Sequence, residues 1–331
     1  MKQKLIALAI ASALSAPAFA DNANVTVYGK AFLTFDQHDT GVAGTASKMR
    51  VNTNASRFGV KGEEDLGGGL TGLYQFEVEM DADGNGGNGL GKTRNSGAGV
   101  KGDFGQVVLG IWDSPFKVAH NAIELFDNTS DWSAIKTIGI SAGKDYNTRQ
   151  KNMVQYWSPK FGALQAAVMY SPDEAKTTTV NKSILSMSAT YSQDALYASA
   201  AYESRADASV TGTNDSALRV VGKYDLGDVW VGAMIENIKT NTGATTSVTG
   251  NNLELVGAFK MGASSLAASF AKAGSTAVGA AAANDVNQLT LKYTYKFSKR
   301  TEAFAAYASK KTNGATSVTA TTVGGGLVHS F

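Results

Sequence analysis

Val323-Gly324-Gly325-Gly326-Leu327-Val328-His329-Ser330-Phe331 is the stretch on which the fold turns. Successive side chains of an extended strand point to opposite faces. Val323, Gly325, Leu327, His329 and Phe331 therefore share one face, and Gly324, Gly326, Val328 and Ser330 the other. The same period recurs upstream. Tyr74, Phe76, Val78 and Met80 oppose Gln75, Glu77 and Glu79, while Leu289, Leu291, Tyr293, Tyr295 and Phe297 oppose Thr290, Lys292, Thr294 and Lys296. Near the start, Val27, Gly29, Ala31, Leu33 and Phe35 oppose Thr26, Tyr28, Lys30, Thr34 and Asp36, with Phe32 an apolar exception on the polar face. Such alternation marks strands with one apolar and one polar face.

At the other end, Lys2 and Lys4 precede an apolar run from Leu5 to Leu14, and Ala18-Phe19-Ala20 supplies a small-x-small site. This is the pattern of a cleaved export signal over 1–20, with Asp21 as the mature start. The apolar run is shorter than the ~20 residues of a helical span. The remainder, 21–331, has no linker and reads as one domain. The chain has no Cys. An exported protein of this kind must be stable without disulfides, and it offers neither a thiol nucleophile nor a thiolate metal site. The net charge of +2 comes from the two lysines of the leader, so the mature chain is neutral, which argues against a nucleic-acid partner.

The connections alternate in length. Short ones include Gly67-Gly68-Gly69, Asp103-Phe104-Gly105, Lys160-Phe161-Gly162 and Gln193-Asp194. Long polar ones fall at 37–52, 82–92, 173–181, 204–215, 240–251, 274–284 and 311–320, and one of mixed character at 113–148. Beyond the leader no apolar run reaches the length of a helical span. A bilayer then admits only a closed barrel, because lipid cannot satisfy free backbone N–H and C=O groups. The pattern predicts an all-β fold: a 16-stranded antiparallel transmembrane β-barrel with short periplasmic turns and long extracellular loops. A barrel of about 16 strands has room for an aqueous lumen. A soluble β-sandwich would bury the apolar faces in a shared core and gives no reason for such uniform alternation.

Several segments, in this order along the chain, carry a resemblance. They are Val27-Tyr28-Gly29-Lys30, Ser56-Arg57-Phe58-Gly59-Val60-Lys61-Gly62-Glu63, Thr93-Arg94, Thr148-Arg149 and the ending Gly326-Leu327-Val328-His329-Ser330-Phe331. The whole mature chain resembles the trimeric, 16-stranded general diffusion porins of the Gram-negative outer membrane, in their β-proteobacterial and neisserial branch. The resemblance implies a passive channel for ions and small hydrophilic solutes, with no enzymatic step and no cofactor. It implies a homotrimer in outer-membrane lipid, and a barrel-assembly machinery that reads the last strand and Phe331. It further implies a third loop, 113–148, folded into the lumen. That loop would present Glu124, Asp127 and Asp131 to a basic wall of Lys30, Arg57, Arg94 and Arg149, with Lys61 on the strand face of Arg57. The chain lacks the Pro-Glu-Phe-Gly loop tip of the enteric branch, so the acids are placed only to within several residues.

Parity supports the basic wall independently. Arg57 and Lys61 flank Gly59 on one face, and Arg149 shares a face with Lys151 and Gln155, opposite Val154 and Tyr156. Arg or Lys on the lipid face costs roughly 2–4 kcal/mol at mid-depth, so these cations are expected to face the lumen. Cations on the wall and acids on the loop would set a transverse field and a mild anion preference. Arg suits the task because it stays charged. Two bland readings stand beside this one: any polar lumen carries scattered charges, and a loop acid can simply pin the loop to the wall. Gly29, Gly59 and Gly99 are compatible with close subunit contact on the outer face.

Other signals carry less. Asp81-Ala82-Asp83-Gly84-Asn85-Gly86 begins like a calcium loop, but its twelfth position is Lys92 rather than a bidentate Glu. Gly84, Gly86 and Gly89 fit G-x-G-x-x-G without the helix that a dinucleotide site needs. His38, His120 and His329 lack a nucleophile motif, which disfavours a barrel enzyme. A substrate-specific sugar channel would need an aromatic ladder, for which Trp112, Trp132, Trp157 and Trp230 are the material.

Overall fold

The computed structural model describes residues 24–84, 89–127, 129–139, 142–278, 285–314 and 316–331. The leader 1–20, Asp21, and Asn85 and Gly86 of the Asp-rich loop lie outside the described residues. The strands are β1 Asn24–Asp39, β2 in two halves Lys48–Thr53 and Arg57–Gly67, β3 Leu70–Met80, β4 in two halves Leu90–Thr93 and Ser96–Gly102, and β5 Gly105–Asp113. Two short helices follow, α1 Pro115–Val118 and α2 Ala134–Ile138. Then come β6 Arg149–Trp157, β7 Leu164–Ser171, β8 Ile184–Gln193, β9 Leu196–Ala206, β10 Asn214–Asp225 and β11 Val229–Asn241. The last are β12 Ser247–Met261, β13 Ser264–Val278, β14 Asp285–Lys296, β15 Thr301–Asn313 and β16 Val318–Ser330. Both halves of β2 pair with β1, and both halves of β4 pair with β3. The 18 hydrogen-bonded segments of the sheet are therefore sixteen barrel strands. β1 closes antiparallel on β16 from Lys30↔Ser330 to Asp39↔Thr321. The all-β, 16-stranded closed barrel read from the alternation is the fold of this chain.

The barrel is inside-out relative to a soluble protein. Val27, Phe76, Leu109, Ile235 and Leu327 are each more than half exposed, whereas Asp36, Glu77, Glu203, Asp215, Glu236 and Gln288 are buried. Only a hydrocarbon exterior makes that distribution favourable. Phe32, the apolar exception on the polar face of β1, is 2% exposed because it receives a loop from inside.

The strands run further than the alternation indicates. β1 continues to Asp39 and β2 begins at Lys48, although 37–52 reads as loop. β11 reaches Asn241 and β12 starts at Ser247, so little of 240–251 is loop. Above the bilayer no lipid demands apolar residues, yet the ladder persists, and polar residues then occupy both faces of the sheet.

Two glycines place side chains. Gly29 faces outward, and the Phe331 ring lies in the space its Cβ would occupy, held by Gly29 N–H donating to Phe331 O at 3.0 Å and Phe331 N–H donating back at 3.1 Å. Gly59 differs from the outer-face reading. A Cβ there would enter the ring of Tyr28, so Gly59 opens lumen space for that ring. Gly99 likewise faces Val108 on the inner side.

The segment between β5 and β6 folds into the lumen and packs on the far wall. Ile123, Ala134, Ile135 and Ile138 meet inward-facing Val221, Met234, Val256 and Ala271. Phe116 and Tyr146 meet Ala201, Ala217 and Ile238. Phe126 and Trp132 each meet Phe304 edge to face, with ring centroids 5.7 Å from it. Wall side chains also satisfy the loop carbonyls. Arg219 Nη1 donates to Phe116 O (3.0 Å), Tyr197 OH to Ala119 O (3.0 Å), Lys292 Nζ to Leu125 O (2.7 Å) and Asn252 Nδ2 to Ile138 O (2.8 Å). An unpaired buried carbonyl is expensive, so these bonds fix the loop path as well as its position. Arg219 is wholly buried over the Phe116 ring (4.2 Å) and paired with Glu236 at 2.5 Å.

Removing one partner of a buried ion pair costs about 3–5 kcal/mol, because the other charge is stranded. Glu236→Ala is therefore expected to release the start of the loop. The measurable results are a lower unfolding temperature of the barrel and larger, noisier single-channel conductance than the wild type; unchanged values would show that the loop is held elsewhere.

Candidate functional site

With the loop against β9–β16, the space left in the lumen lies between the loop and the first strands. A cleft of about 450 Å3 there is lined by Tyr28, Lys30, Arg57, Glu77, Arg94 and Asn95 from the wall, and by Asp113, Lys117, Asn121 and Asp127 from the loop side. Local irregularities aim these side chains. β2 breaks at Asn54–Ser56, where Ala55 adopts φ 53°. Ser56 Oγ takes over the ladder there, accepting from Phe32 N–H at 2.9 Å and donating to Phe32 O at 3.1 Å. Arg57 follows at once. β4 breaks at Arg94-Asn95, and Ser96 Oγ accepts from Glu77 N–H (2.9 Å). The β5–β6 register shifts between Gly110 and Trp112, just before Asp113, and Asn152 on β6 has φ 51°. Interrupted ladders of this kind re-aim side chains, and here they occur on each strand that brings an Arg to the cleft.

The charges are tightly knit. Asp127 Oδ2 is 2.9 Å from Lys30 Nζ and 3.1 Å from Arg57 Nη1. Glu77 accepts from Arg94 Nε (2.5 Å) and from Tyr28 OH (3.0 Å) and is 4.0 Å from Arg57 Nε. Arg149 Nε is 3.1 Å from Asp113 Oδ1 and 2.7 Å from Asn95 Oδ1. Lys117 Nζ, one helical turn on, also reaches Asp113 at 2.7 Å. Burial by itself would push the Asp127 carboxyl up, but Arg57 and then Lys30 outweigh it and hold it below the usual carboxylate range.

Four of the expected basic residues, Lys30, Arg57, Arg94 and Arg149, come together in this network. Lys61 stands apart, exposed, with its ammonium 5.4 Å from the Tyr28 ring centre. Of the expected loop acids, Asp127 alone lines the cleft. Glu124 faces the loop interior instead. Its carboxylate accepts from Ser133 Oγ at 3.0 Å and Phe126 N–H at 2.8 Å and lies 3.5 Å from His120, so it pins the loop. Burial pushes its carboxyl up against the pull of His120. Asp131 lines a separate polar cleft of about 170 Å3, where Arg50 bridges it (2.8 Å) to Asp36 (2.7 Å).

Glu77, Asp113 and Lys117 complete the site and were not singled out from the sequence. For Glu77 the signal existed: it lies on the polar face of β3, paired across the ladder with Gly59, between Arg57 and Lys61. For Asp113 and Lys117 the only signal is their i,i+4 spacing at the loop entrance.

His120 is buried with Nε2 2.7 Å from Glu254, His38 Nδ1 lies 2.9 Å from Thr322 Oγ1, and His329 faces outward beside Phe331. Among the described residues no group of three His, Asp or Glu side chains is placed to hold a metal ion. The tryptophans form no single line. Trp132 belongs to the loop and is buried between it and the wall, Trp230 packs beneath Lys223, and Trp112 pairs with Trp157 at 6.2 Å.

Known proteins bear on this geometry. Residues 7–315 match the family model described as Gram-negative porin. Outer membrane porin protein 32 of Delftia acidovorans is 31% identical over 183 residues, 54% of this chain and 51% of that protein, so the chain spans about half the length of that relative. The major outer membrane protein P.IB of Neisseria lactamica is 25% identical over 350 residues, covering all of both chains. Among solved structures, the anion-selective porin from Comamonas acidovorans shares the fold with a TM-score of 0.83 at 22% identity, over 94% of this chain and all of that one. OmpT of Vibrio cholerae in its trimer form gives 0.70 at 16% identity, over 94% of this chain and all of that one. A closed sixteen-strand barrel, a loop folded within it and the family match together establish that this chain belongs to the Gram-negative porin family of the outer membrane.

Proposed function

We propose that the chain forms a water-filled channel through which ions and small hydrophilic solutes diffuse passively, with a mild preference for anions. The observation that carries this reading is the composition of the 450 Å3 cleft, where four cations, Lys30, Arg57, Arg94 and Lys117, face three carboxylates, Glu77, Asp113 and Asp127. Arg149 stands behind Asp113 and adds a further positive charge. Selectivity by ion sign follows from such an unbalanced ring at close range. No chemical step is part of this function. The anion-selective name of the Comamonas relative and the trimer form of the Vibrio one support anion preference and a homotrimer for this chain as well. Cleavage after Ala20 leaves 21–331 as the barrel domain. Phe331, seated on Gly29 at the barrel seam, is the proposed element read by the barrel-assembly machinery.

Planar-bilayer recording tests the reading. Purified protein should give stepwise, ohmic conductance and a reversal potential on the anion side of zero in a salt gradient. Replacing Arg57, Arg94 and Arg149 together by Gln turns the cationic surplus into an anionic one. A unit charge at contact in water is worth about 1 kcal/mol, which is about fivefold, so the anion-to-cation permeability ratio should fall by at least that factor. An unaltered reversal potential would remove these residues from the role.

The depressed Asp127 gives a pH expectation. A carboxylate held below its unfolded value contributes fully above that value, and its contribution is lost only as pH falls through the lower, folded one. The Asp127 contacts with Lys30 and Arg57 should therefore persist from neutral pH down to about 4. Anion selectivity should be flat over that range and should rise only at lower pH. A rise centred at pH 5–6 would contradict the assignment.

A further inference from the structure

On the same stretch of wall, a second feature continues from the cationic cleft toward the short-turn rim. The inward residues Leu73, Val108, Met153 and Met169 form an apolar patch, with the half-buried rings of Trp112 and Trp157 packed against it. Register confirms that this patch faces the lumen. Leu73 pairs with Gly99, Gly99 with Val108, and Val108 with Gln155, all on the face of Glu77. Val108, Met153 and Met169 are buried behind the two rings, so the indoles are the main apolar surface that this stretch of wall presents to the lumen.

The two tryptophans link two polar clefts. Trp112 directly precedes Asp113, which holds Arg149 and Lys117 at the first cleft. Trp157 lines a second cleft of about 370 Å3 near the rim, which Lys101, Gln106 and Gln165 also line. The two rings meet edge to face at 6.2 Å. A solute that leaves the arginines toward the rim therefore passes along indole surface and arrives at the Lys101 ammonium, which Glu63 holds on one side at 2.6 Å.

We propose that this path favours small organic anions with a flat apolar body, aromatic monocarboxylates being the fitting class. The carboxylate is passed from the Arg94–Arg149–Lys117 group to Lys101, while the ring slides over Trp112 and Trp157. Charge complementarity selects the head group, and aromatic contact in offset-stacked or edge-to-face geometry, each contact individually weak, holds the body without trapping it. Binding that is favourable enough to enter and weak enough to leave is what permeation needs. This inference rests on the diffusion-channel reading above and names a class of solute for it.

The test uses benzoate and acetate as probes on the full-length mature protein in planar bilayers. Permeability of each relative to chloride is taken from bi-ionic reversal potentials. For the wild type, benzoate should be at least as permeant as acetate despite its larger size. In Trp112→Gln/Trp157→Gln the benzoate-to-acetate ratio should fall several-fold while chloride conductance is kept. A wild-type protein that forms no channels overturns the channel reading itself. Channels with an unchanged benzoate-to-acetate ratio in the double variant overturn only the role of the tryptophans. If the double variant fails to assemble, Trp157→Phe and Trp157→Gln decide at the rim. The ratio should be kept in the first and reduced in the second, and equal ratios in the two would sink the proposal.

Discussion

A β-sheet immersed in hydrocarbon cannot leave an edge unpaired, because lipid offers its N–H and C=O groups no partner. Everything else in this chain follows from the way that constraint is met, by the seam at which β1 pairs with β16 over ten residue positions. Closure makes the interior a separate compartment with its own chemistry. The outward positions answer to lipid and are apolar; the inward ones are free to be Arg219, Glu236, Gln288 or Glu203. The seam also explains the end of the chain. Phe331 carries the seam one residue beyond Ser330 through its two backbone hydrogen bonds with Gly29, and its ring covers the backbone of Gly29, where any larger residue would displace it.

A barrel this wide would be an unselective hole without its third loop, and the loop is held by two kinds of force. Apolar packing against Val221, Met234, Val256 and Phe304 supplies most of the favourable burial. Side chains from the wall bonding to loop carbonyls then remove the alternatives, because each shift of the loop would leave a buried acceptor unpaired. The inner face of β10–β15 is thus a mixed surface of Ala, Val, Met and isolated polar residues, matched to one loop conformation. That mixture is why these strands carry apolar residues on both faces, and it accounts for Phe32 and Phe304 on the lumen side.

The architecture was legible in the sequence because lipid imposes a period of two that the eye can follow through sixteen strands. The strand ends were less legible. Beyond the bilayer the period is lost while the hydrogen bonds continue, as at Gln37–Asp39 and Val248–Asn251. The basic wall was also legible, since Arg57 and Arg94 face inward wherever the barrel closes. The acids were harder. Asp127 and Glu124 lie three residues apart in the loop, yet the first reaches the cleft and the second turns into the loop core. Only the folded path of an irregular segment decides that. Bulges add a second loss: the broken ladders at Ala55, Arg94 and Asn152 shift parity just where the site is built.

The close pairing of the cleft charges raises the question of whether any field is left for a solute to feel. Each carboxylate at the cleft touches two cationic partners or a cation and a phenol: Asp127 with Lys30 and Arg57, Asp113 with Lys117 and Arg149, Glu77 with Arg94 and Tyr28. The carboxylates are therefore largely neutralised in place, and the surplus is cationic. Screening does not remove it. A cleft of 450 Å3 is roughly 9–10 Å across if taken as a sphere, so its centre lies about 5 Å from the wall, inside the Debye length of about 8 Å at physiological ionic strength. A permeating anion is thus never a full screening length away from the guanidinium groups. The same pairing keeps the arginine side chains from collapsing onto the solute, since their nitrogens are already anchored at 2.5–3.1 Å. The acids, on this argument, serve less as the opposite pole of a field than as fixed mounts that hold a positive surface open to water.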